Sequence, residues 1–298
     1  MGLAFAIAAM VSFAANILFT RYALQRMPLE SGFLIVLGTN VVFPAVLFGL
    51  EVGGRETAFA WDWKGAWLFT LSGVIGTFLG RRMLFDTVRL LGPARASIFH
   101  STAPAFAFLG AWIFVGERLG LYEIALVALV WVGLWLTQPR TGSQTGDVRL
   151  TAELLRKGMV FGVLAVAGFG FGNVIRAMAV RHWHEAVLGT VIASAAAFVL
   201  QVAVTRQWSA IVTQFRTAQR GAIALYTACG VATSFGSIFI TLAMARIEIG
   251  LATLVLHTTP VVIFPISVFV LKHREELTGR TLAGTGLVLA GISALAMR

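Results

Sequence analysis

Charge is what this sequence has least of. Only 12% of its 298 residues are Asp, Glu, Lys or Arg, 58% are hydrophobic, and the mean hydropathy is +0.86. Water-soluble chains carry about 25% charged and 45–50% apolar residues, so this one lacks the polar material to cover a globular surface. That excludes an ordinary soluble enzyme or a nucleic-acid-binding domain. Lys and Arg outnumber Asp and Glu, giving a net charge of +10, but they are scattered rather than gathered on one amphipathic face, and no nucleic-acid partner is expected. Cysteine is almost absent. Cys229 alone permits no internal disulfide and no cysteine metal cluster. His-Glu-x-x-His, Gly-x-Ser-x-Gly and the P-loop are missing too, so no catalytic residues, no metal, no cofactor and no built-in ATP drive are expected. An integral membrane protein remains.

A helix needs about 20 apolar residues to cross about 30 Å of hydrocarbon. Ten such stretches occur, near 2–20, 32–50, 67–90, 93–115, 121–137, 158–179, 186–205, 221–244, 250–271 and 281–297. The first has no basic region before it and is longer than the apolar core of a signal peptide, so it is expected to stay as a helix. The longest polar interval falls near the middle, predicting a first five-helix repeat over 1–137, a linker over 138–157 and a second repeat over 158–298. Loops after the odd-numbered spans hold the larger share of the basic residues, among them Arg21, Arg26, Arg140, Arg149 and Lys157. The positive-inside rule then puts the linker in the cytoplasm and both termini outside.

The halves resemble one another. Residues 92–104 read GPARASIFHSTAP and residues 248–260 read EIGLATLVLHTTP, so that Pro104 falls on Pro260 and Ser97 on Thr253. Each is followed by an apolar run and then a glutamate motif, Glu117-Arg118-Leu119 in one half and Glu275-Glu276-Leu277 in the other. Upstream, Phe13 to Asn16 mirrors Phe169 to Asn173. Five spans per half is an odd number, so two such copies sit in the membrane with opposite orientation. The expected fold is all-α, with ten transmembrane helices as two inverted five-helix repeats. Inverted repeats mark alternating-access transporters, whose substrate sits near the midplane where the repeats meet.

These paired helices, with their small residue, proline and terminal glutamate, resemble the EamA-type branch of the drug/metabolite transporter superfamily over the whole chain. The resemblance implies a basket of ten helices, a central cavity lined by helices 1, 3, 4, 6, 8 and 9, and export of small metabolites such as amino acids. Two departures stand out: Arg81, Arg82 and Asp86 in the third span, and Lys272-His273-Arg274 ahead of the second glutamate motif.

Polar groups inside spans are costly and mark function. Arg81 and Arg82 lie deep in the third span, where one of them could hold a carboxylate or phosphate or both could snorkel to the interface. Successive residues point about 100° apart, so at most one faces a cavity directly. Asp86 is spaced to bridge Arg82 and Arg89. His100 and His257 each stand just before a proline that loosens its helix, Pro104 or Pro260. They are candidates to bind substrate or, with Asp86, to carry a coupling proton. Ser101, Thr102, Thr258 and Thr259 flank them and could bond substrate or their own helix turn. Asn16 and Asn173 are open between substrate binding and helix–helix contact. The Glu117 and Glu275 motifs read as caps and loop locks. Trp61, Trp63 and Trp67 read as an interfacial belt, and His182-Trp183-His184 as a polar turn rather than a metal cluster.

The expected function is secondary transport of a small polar metabolite, an amino acid or other carboxylate-bearing compound, outward and coupled to protons. The alternatives are export of cationic drugs or carriage of a phosphorylated or lipid-like anion, with a membrane-embedded enzyme or receptor weaker still. The lipid bilayer, the small-molecule substrate and protons are the expected partners of a monomer or weak homodimer in a bacterial inner membrane.

Overall fold

The computed structural model describes residues 1–55, 59–91, 96, 99–118, 120–137, 152–206, 208–259, 262 and 279–296. Every regular element among them is helical: α1 (Gly2–Leu24), α2 (Leu29–Gly53), α3 (Trp63–Ser72), a π-helical segment (Gly73–Gly80), α4 (Arg81–Leu91), α5 (Ala103–Val115), α6 (Leu121–Thr137), α7 (Ala152–His182), α8 (Ala186–Val204), α9 (Trp208–Thr217), α10 (Arg220–Met244), α11 (Ile249–His257) and α12 (Gly279–Ala296).

Six described helices are long and apolar enough to cross a membrane, at 2–24, 29–53, 63–91, 153–182, 186–204 and 220–244. They coincide with six of the ten apolar stretches. The fourth and fifth stretches carry the shorter apolar helices Phe99–Val115 and Ile124–Gly133. The ninth is described as α11, and the tenth is the 18-residue α12. Boundaries move for local reasons. The third span begins at Trp63 because the Asp62 carboxylate accepts the Gly65 N–H and caps the helix. The sixth begins at Ala152, where Glu153 and Lys157 pair at 2.7 Å one turn apart.

By contacts the chain falls into two units, Met1–Phe78 with Ile175–Ile247, and Leu79–Val174 with Glu248–Arg298. Each draws helices from both halves of the sequence. In hydrocarbon, helices are held together by close packing and interhelical hydrogen bonds rather than by the hydrophobic effect, and both units show this.

In the first unit α1 runs antiparallel to α10. A Cβ at Gly2 would meet Ile247, while at the other end Thr20 lies 3.4 Å from the Cys229 sulfur and the Tyr226 hydroxyl donates to the Met27 carbonyl at 3.0 Å. α2 runs antiparallel to α8. The Arg55 guanidinium, just past α2, grips Glu185 at the start of α8 with two bonds of 2.6 and 2.8 Å, and Ser31 at the start of α2 bonds Gln214 in α9, beyond the far end of α8. Arg181 caps the C-terminus of α10, donating to the carbonyls of Met244 and Ile247 at 2.9 Å each. Trp183, expected in a polar turn, is instead 8% exposed and packs on Phe69, Ala66 and Leu188, with its indole N–H on the Ala60 carbonyl. Trp61, Trp63 and Trp67 are exposed, at 46%, 79% and 66%.

In the second unit α6 runs antiparallel to α12. Gly133 packs against Val288, Gly291 against Val130, and Arg280 lies over the Trp135 ring at 4.7 Å. α5 ends at Gly116, whose φ of 76° is the left-handed conformation that favours glycine. This turn delivers Glu117, and its carboxylate accepts the Ile249 N–H at 2.9 Å. The expected capping role of Glu117 is thus seen, at the first residue of α11. Glu275, with Lys272 to Arg274, lies outside the described residues.

Candidate functional site

The second unit holds Arg81, His100 and His257. The helix that starts at Trp63 passes into a π-helical segment of eight residues, Gly73 to Gly80, and Arg81 is the first residue beyond it. π-Helical turns widen the hydrogen-bond ring to i→i+5 and recur at functional sites. They also shift the angular register between the residues before them and those after, while Arg81 and Arg82, both in α4, stay about 100° apart. The outcome is asymmetric. Arg81 is partly buried, while Arg82 is exposed. Of the two arginines, Arg81 is therefore the one at the candidate site.

Gly80 brings this helix close to α7, since a Cβ there would stand 3.3 Å from the Phe169 ring. Phe169 in turn meets His100 edge-on, with centroids 5.1 Å apart. His100 then faces His257, with centroids 5.0 Å apart and planes inclined by 50°. Contacts thus run from Gly80, the neighbour of Arg81, through Phe169 and His100 to His257 within one unit. His257 Nδ1 lies 2.8 Å from the Thr253 carbonyl. A carbonyl only accepts, so Nδ1 carries the hydrogen and Nε2 is left with its lone pair. Buried His100 Nδ1 has no hydrogen-bond partner among the described residues, a feature that in a native fold calls for an explanation.

With the prolines aligned, the sequence counterpart of His257 is Ser101 and not His100, so the imidazoles are not strict repeat equivalents even though they meet. The true structural equivalents are Thr102 and Thr258. Each interrupts its helix, donates its backbone N–H to the residue three before it (Phe99 or Val255), and bonds the same carbonyl with its hydroxyl at 2.7 or 2.6 Å. Thr259 likewise donates to Leu256 at 2.6 Å. These hydroxyls offer a substrate only acceptor lone pairs. The helix interruption sits at Thr102, and Pro104 occupies the second position of α5. Ser101 is partly buried beside His100; Pro260 lies outside the described residues.

The remaining sequence candidates fall elsewhere. Asp86 is partly buried, and among the described residues it forms no ion pair with Arg82 or Arg89, contrary to the bridge expected from spacing. Helical spacing permits such a bridge without supplying the side-chain rotamers. Asn16 belongs to the first unit, where its side-chain oxygen accepts from Thr20 at 3.4 Å. Asn173 is partly buried on α7. His182 pairs with Asp62 at 3.4 Å, and no group of three potential metal ligands occurs among the described residues.

Two polar clusters were not singled out from the sequence. Asn40, 5% exposed, contacts Thr233 Oγ1 at 3.0 Å and Ser234 Oγ at 3.1 Å; with its amide nitrogen turned that way it also reaches the Gly230 carbonyl at 2.7 Å. Asn40 stands four residues before Pro44, which lacks the N–H that the Asn40 carbonyl would otherwise accept. A Pro–Asn spacing of four inside an apolar helix is the signal that could have found it. The second cluster is Arg55 with Glu185 and Glu51. Their carboxylates, Glu185 foremost, push the Arg55 guanidinium above its ordinary range and keep it charged.

The first unit also holds an open cavity of about 730 Å³ between α1 and α10, lined by Val11, Ala15, Phe19, Ala228, Ala232 and Phe235 among others.

Six long apolar helices, with Arg81, His100 and His257 partly buried in them or beside them, define a multi-pass membrane protein. The EamA-like transporter family model matches residues 1–138 and again 156–297. The chain belongs to this family, part of the drug/metabolite transporter superfamily. It is similar to the uncharacterized transporter YxxF of Bacillus subtilis (strain 168), at 30% identity over 118 residues, which is 39% of this chain and 34% of that protein. The match therefore spans about a third of that relative's length. A crystal structure of a protein at 16% identity is similar in fold over 99% of this chain and 96% of its own, with a TM-score of 0.74.

Proposed function

We propose that the protein is a secondary transporter that moves a small carboxylate-bearing metabolite, such as an amino acid, by alternating access, with Arg81 holding the carboxylate and the His100–His257 pair carrying a proton. The observation that carries this is the ring contact of His100 with His257, reached from the helix of Arg81 through Gly80 and Phe169. A guanidinium is the natural partner of a carboxylate, and an imidazole titrates near neutral pH. A membrane enzyme would need a reactive constellation that this cluster lacks. The working direction is outward.

The fold proposed is ten transmembrane helices in two inverted repeats over 1–137 and 158–298, joined by a linker. Antiparallel pairing of α2 with α8 and of α6 with α12 supports it, because each pair joins corresponding helices of the two halves. The proposed setting is a bacterial inner membrane, with the termini outside, the linker cytoplasmic, and the protein working as a monomer or weak homodimer.

Asp86 keeps a second reading in play. With no ion pair among the described residues, it could serve a cationic drug instead. Counterflow of labelled carboxylates into proteoliposomes tests the first reading. Uptake that Arg81→Gln abolishes supports it, whereas uptake of organic cations alone transfers the site to Asp86.

A further inference from the structure

Exposed apolar side chains on spanning helices meet acyl chains without choosing among lipids, because lipid tails are as apolar as leucine. A particular lipid is selected where a recess for its chain opens beside charges opposite in sign to its headgroup. The first unit has both parts, at the junction of α1 and α10.

The recess is the open cavity of about 730 Å³ between these helices. Val11, Phe19, Ala224, Thr227 and Phe235 are exposed in its wall, and the hydroxyl of Ser12 is turned back onto the Ala8 carbonyl at 2.8 Å. It follows α10 from Ala224 to Phe235, about 16 Å at about 1.5 Å per residue. One leaflet of a hydrocarbon core about 30 Å thick has that depth. At the deep end, near the midpoint of α10, Phe235 stacks on Phe239 at 5.9 Å and Phe239 on Phe5 at 6.2 Å.

At the shallow end α1 finishes and α10 begins. Arg220 stands four residues before Ala224 and so on the same face of α10. The Arg26 guanidinium lies against Gly221, where a Cβ would stand 3.0 Å from Nη1. Both arginines are exposed, and among the described residues neither enters an ion pair. α9 packs here too, with Phe215 on the cluster of Ala23, Met27 and Tyr226, and its exposed Trp208 has the character of an interfacial anchor. Over residues 21–31 and 205–221 the charges are Arg21, Arg26, Arg206, Arg216 and Arg220 against one carboxylate, Glu30. We propose that this groove binds an acyl chain of an anionic phospholipid, whose phosphate is held by Arg26 and Arg220. Guanidinium groups grip phosphate oxygens with paired donors. A zwitterionic lipid offers the same phosphate but brings a further cation into a region already crowded with them, whereas a net-negative headgroup does not. The site is independent of what the protein carries.

The test uses the purified full-length protein in phosphatidylcholine vesicles doped with a phosphatidylglycerol that carries a photoreactive diazirine on one acyl chain. Irradiation, digestion and mass spectrometry then map the adducts. They are expected to concentrate on the α1 and α10 residues of the groove. Unlabelled phosphatidylglycerol is expected to displace them at least about tenfold more effectively than added phosphatidylcholine, and the free headgroup glycerophosphoglycerol not at all. Arg26→Gln with Arg220→Gln is expected to remove the preference between the two lipids. The wild-type map and its competition decide the matter even if that variant fails to fold. Adducts spread evenly over the exposed side chains of the spanning helices, or equal displacement by both lipids, overturn the site. Displacement by the free headgroup overturns the part assigned to the groove. Adducts that vanish as protein density in the vesicles rises give the groove to a second copy of the chain and overturn the proposal as well.

Discussion

His100 and His257, one from each half of the sequence, lie ring against ring at 5.0 Å inside the second unit of the protein. Replacing His257 with Gln retains a polar side chain of similar reach but removes the titrating nitrogen. Transport by His257→Gln is expected to lose its pH dependence between about pH 5 and 8. Initial rates across that window check this, and a profile like that of the wild type would remove His257 from the proton path.

Asp86 separates the carboxylate and cation readings. Asp86→Asn keeps the shape and removes the charge. Carboxylate transport is expected to remain within about twofold of wild type, since the proposed site is Arg81 with the histidine pair. A loss of tenfold or more, about 1.4 kcal/mol, would place Asp86 in the transport path instead.

Glu117 ties the loop after α5 to the first N–H of α11. Glu117→Ala removes the acceptor and leaves a helix start uncapped, at a cost of about 1 kcal/mol. Thermal unfolding in detergent is expected at lower temperature, with Glu117→Gln intermediate because its amide oxygen still accepts. An unchanged melting temperature would show the contact to be idle.

Arg55 holds Glu185 with both terminal nitrogens and Glu51 with one of them. Lysine cannot reproduce that fork. Arg55→Lys is expected to destabilise by about 0.5–1 kcal/mol, the modest size reflecting side chains that are still 25% and 14% exposed. Equal stability of Arg55→Lys and wild type would mean that charge alone, without geometry, joins α2 to α8.

Periodicity and composition govern the part of the molecule that was legible in the sequence. Apolar length placed six spans at the described helices, and the threonine–proline repeat placed matching interruptions at Thr102 and Thr258. Glu117 was readable as a cap from its position after an apolar run. Arg81 against Arg82 was not decidable, because the π-helical segment before them alters the register that a straight helix would impose. The Asp86 bridge failed because spacing allows a contact without choosing rotamers. Asn40 with Thr233 and Arg55 with Glu185 join residues far apart in the chain, and no local pattern announces such a pair.

Counterflow in proteoliposomes tests the central claim most directly, with labelled carboxylates, phosphates, zwitterionic amino acids and organic cations offered as separate pools to wild type, Arg81→Gln and Arg82→Gln. The account predicts uptake of carboxylate-bearing pools, lost at least about tenfold in Arg81→Gln, as expected for a charge-assisted bond, and kept in Arg82→Gln. Uptake confined to organic cations, or an Arg81→Gln variant as active as wild type, would contradict it.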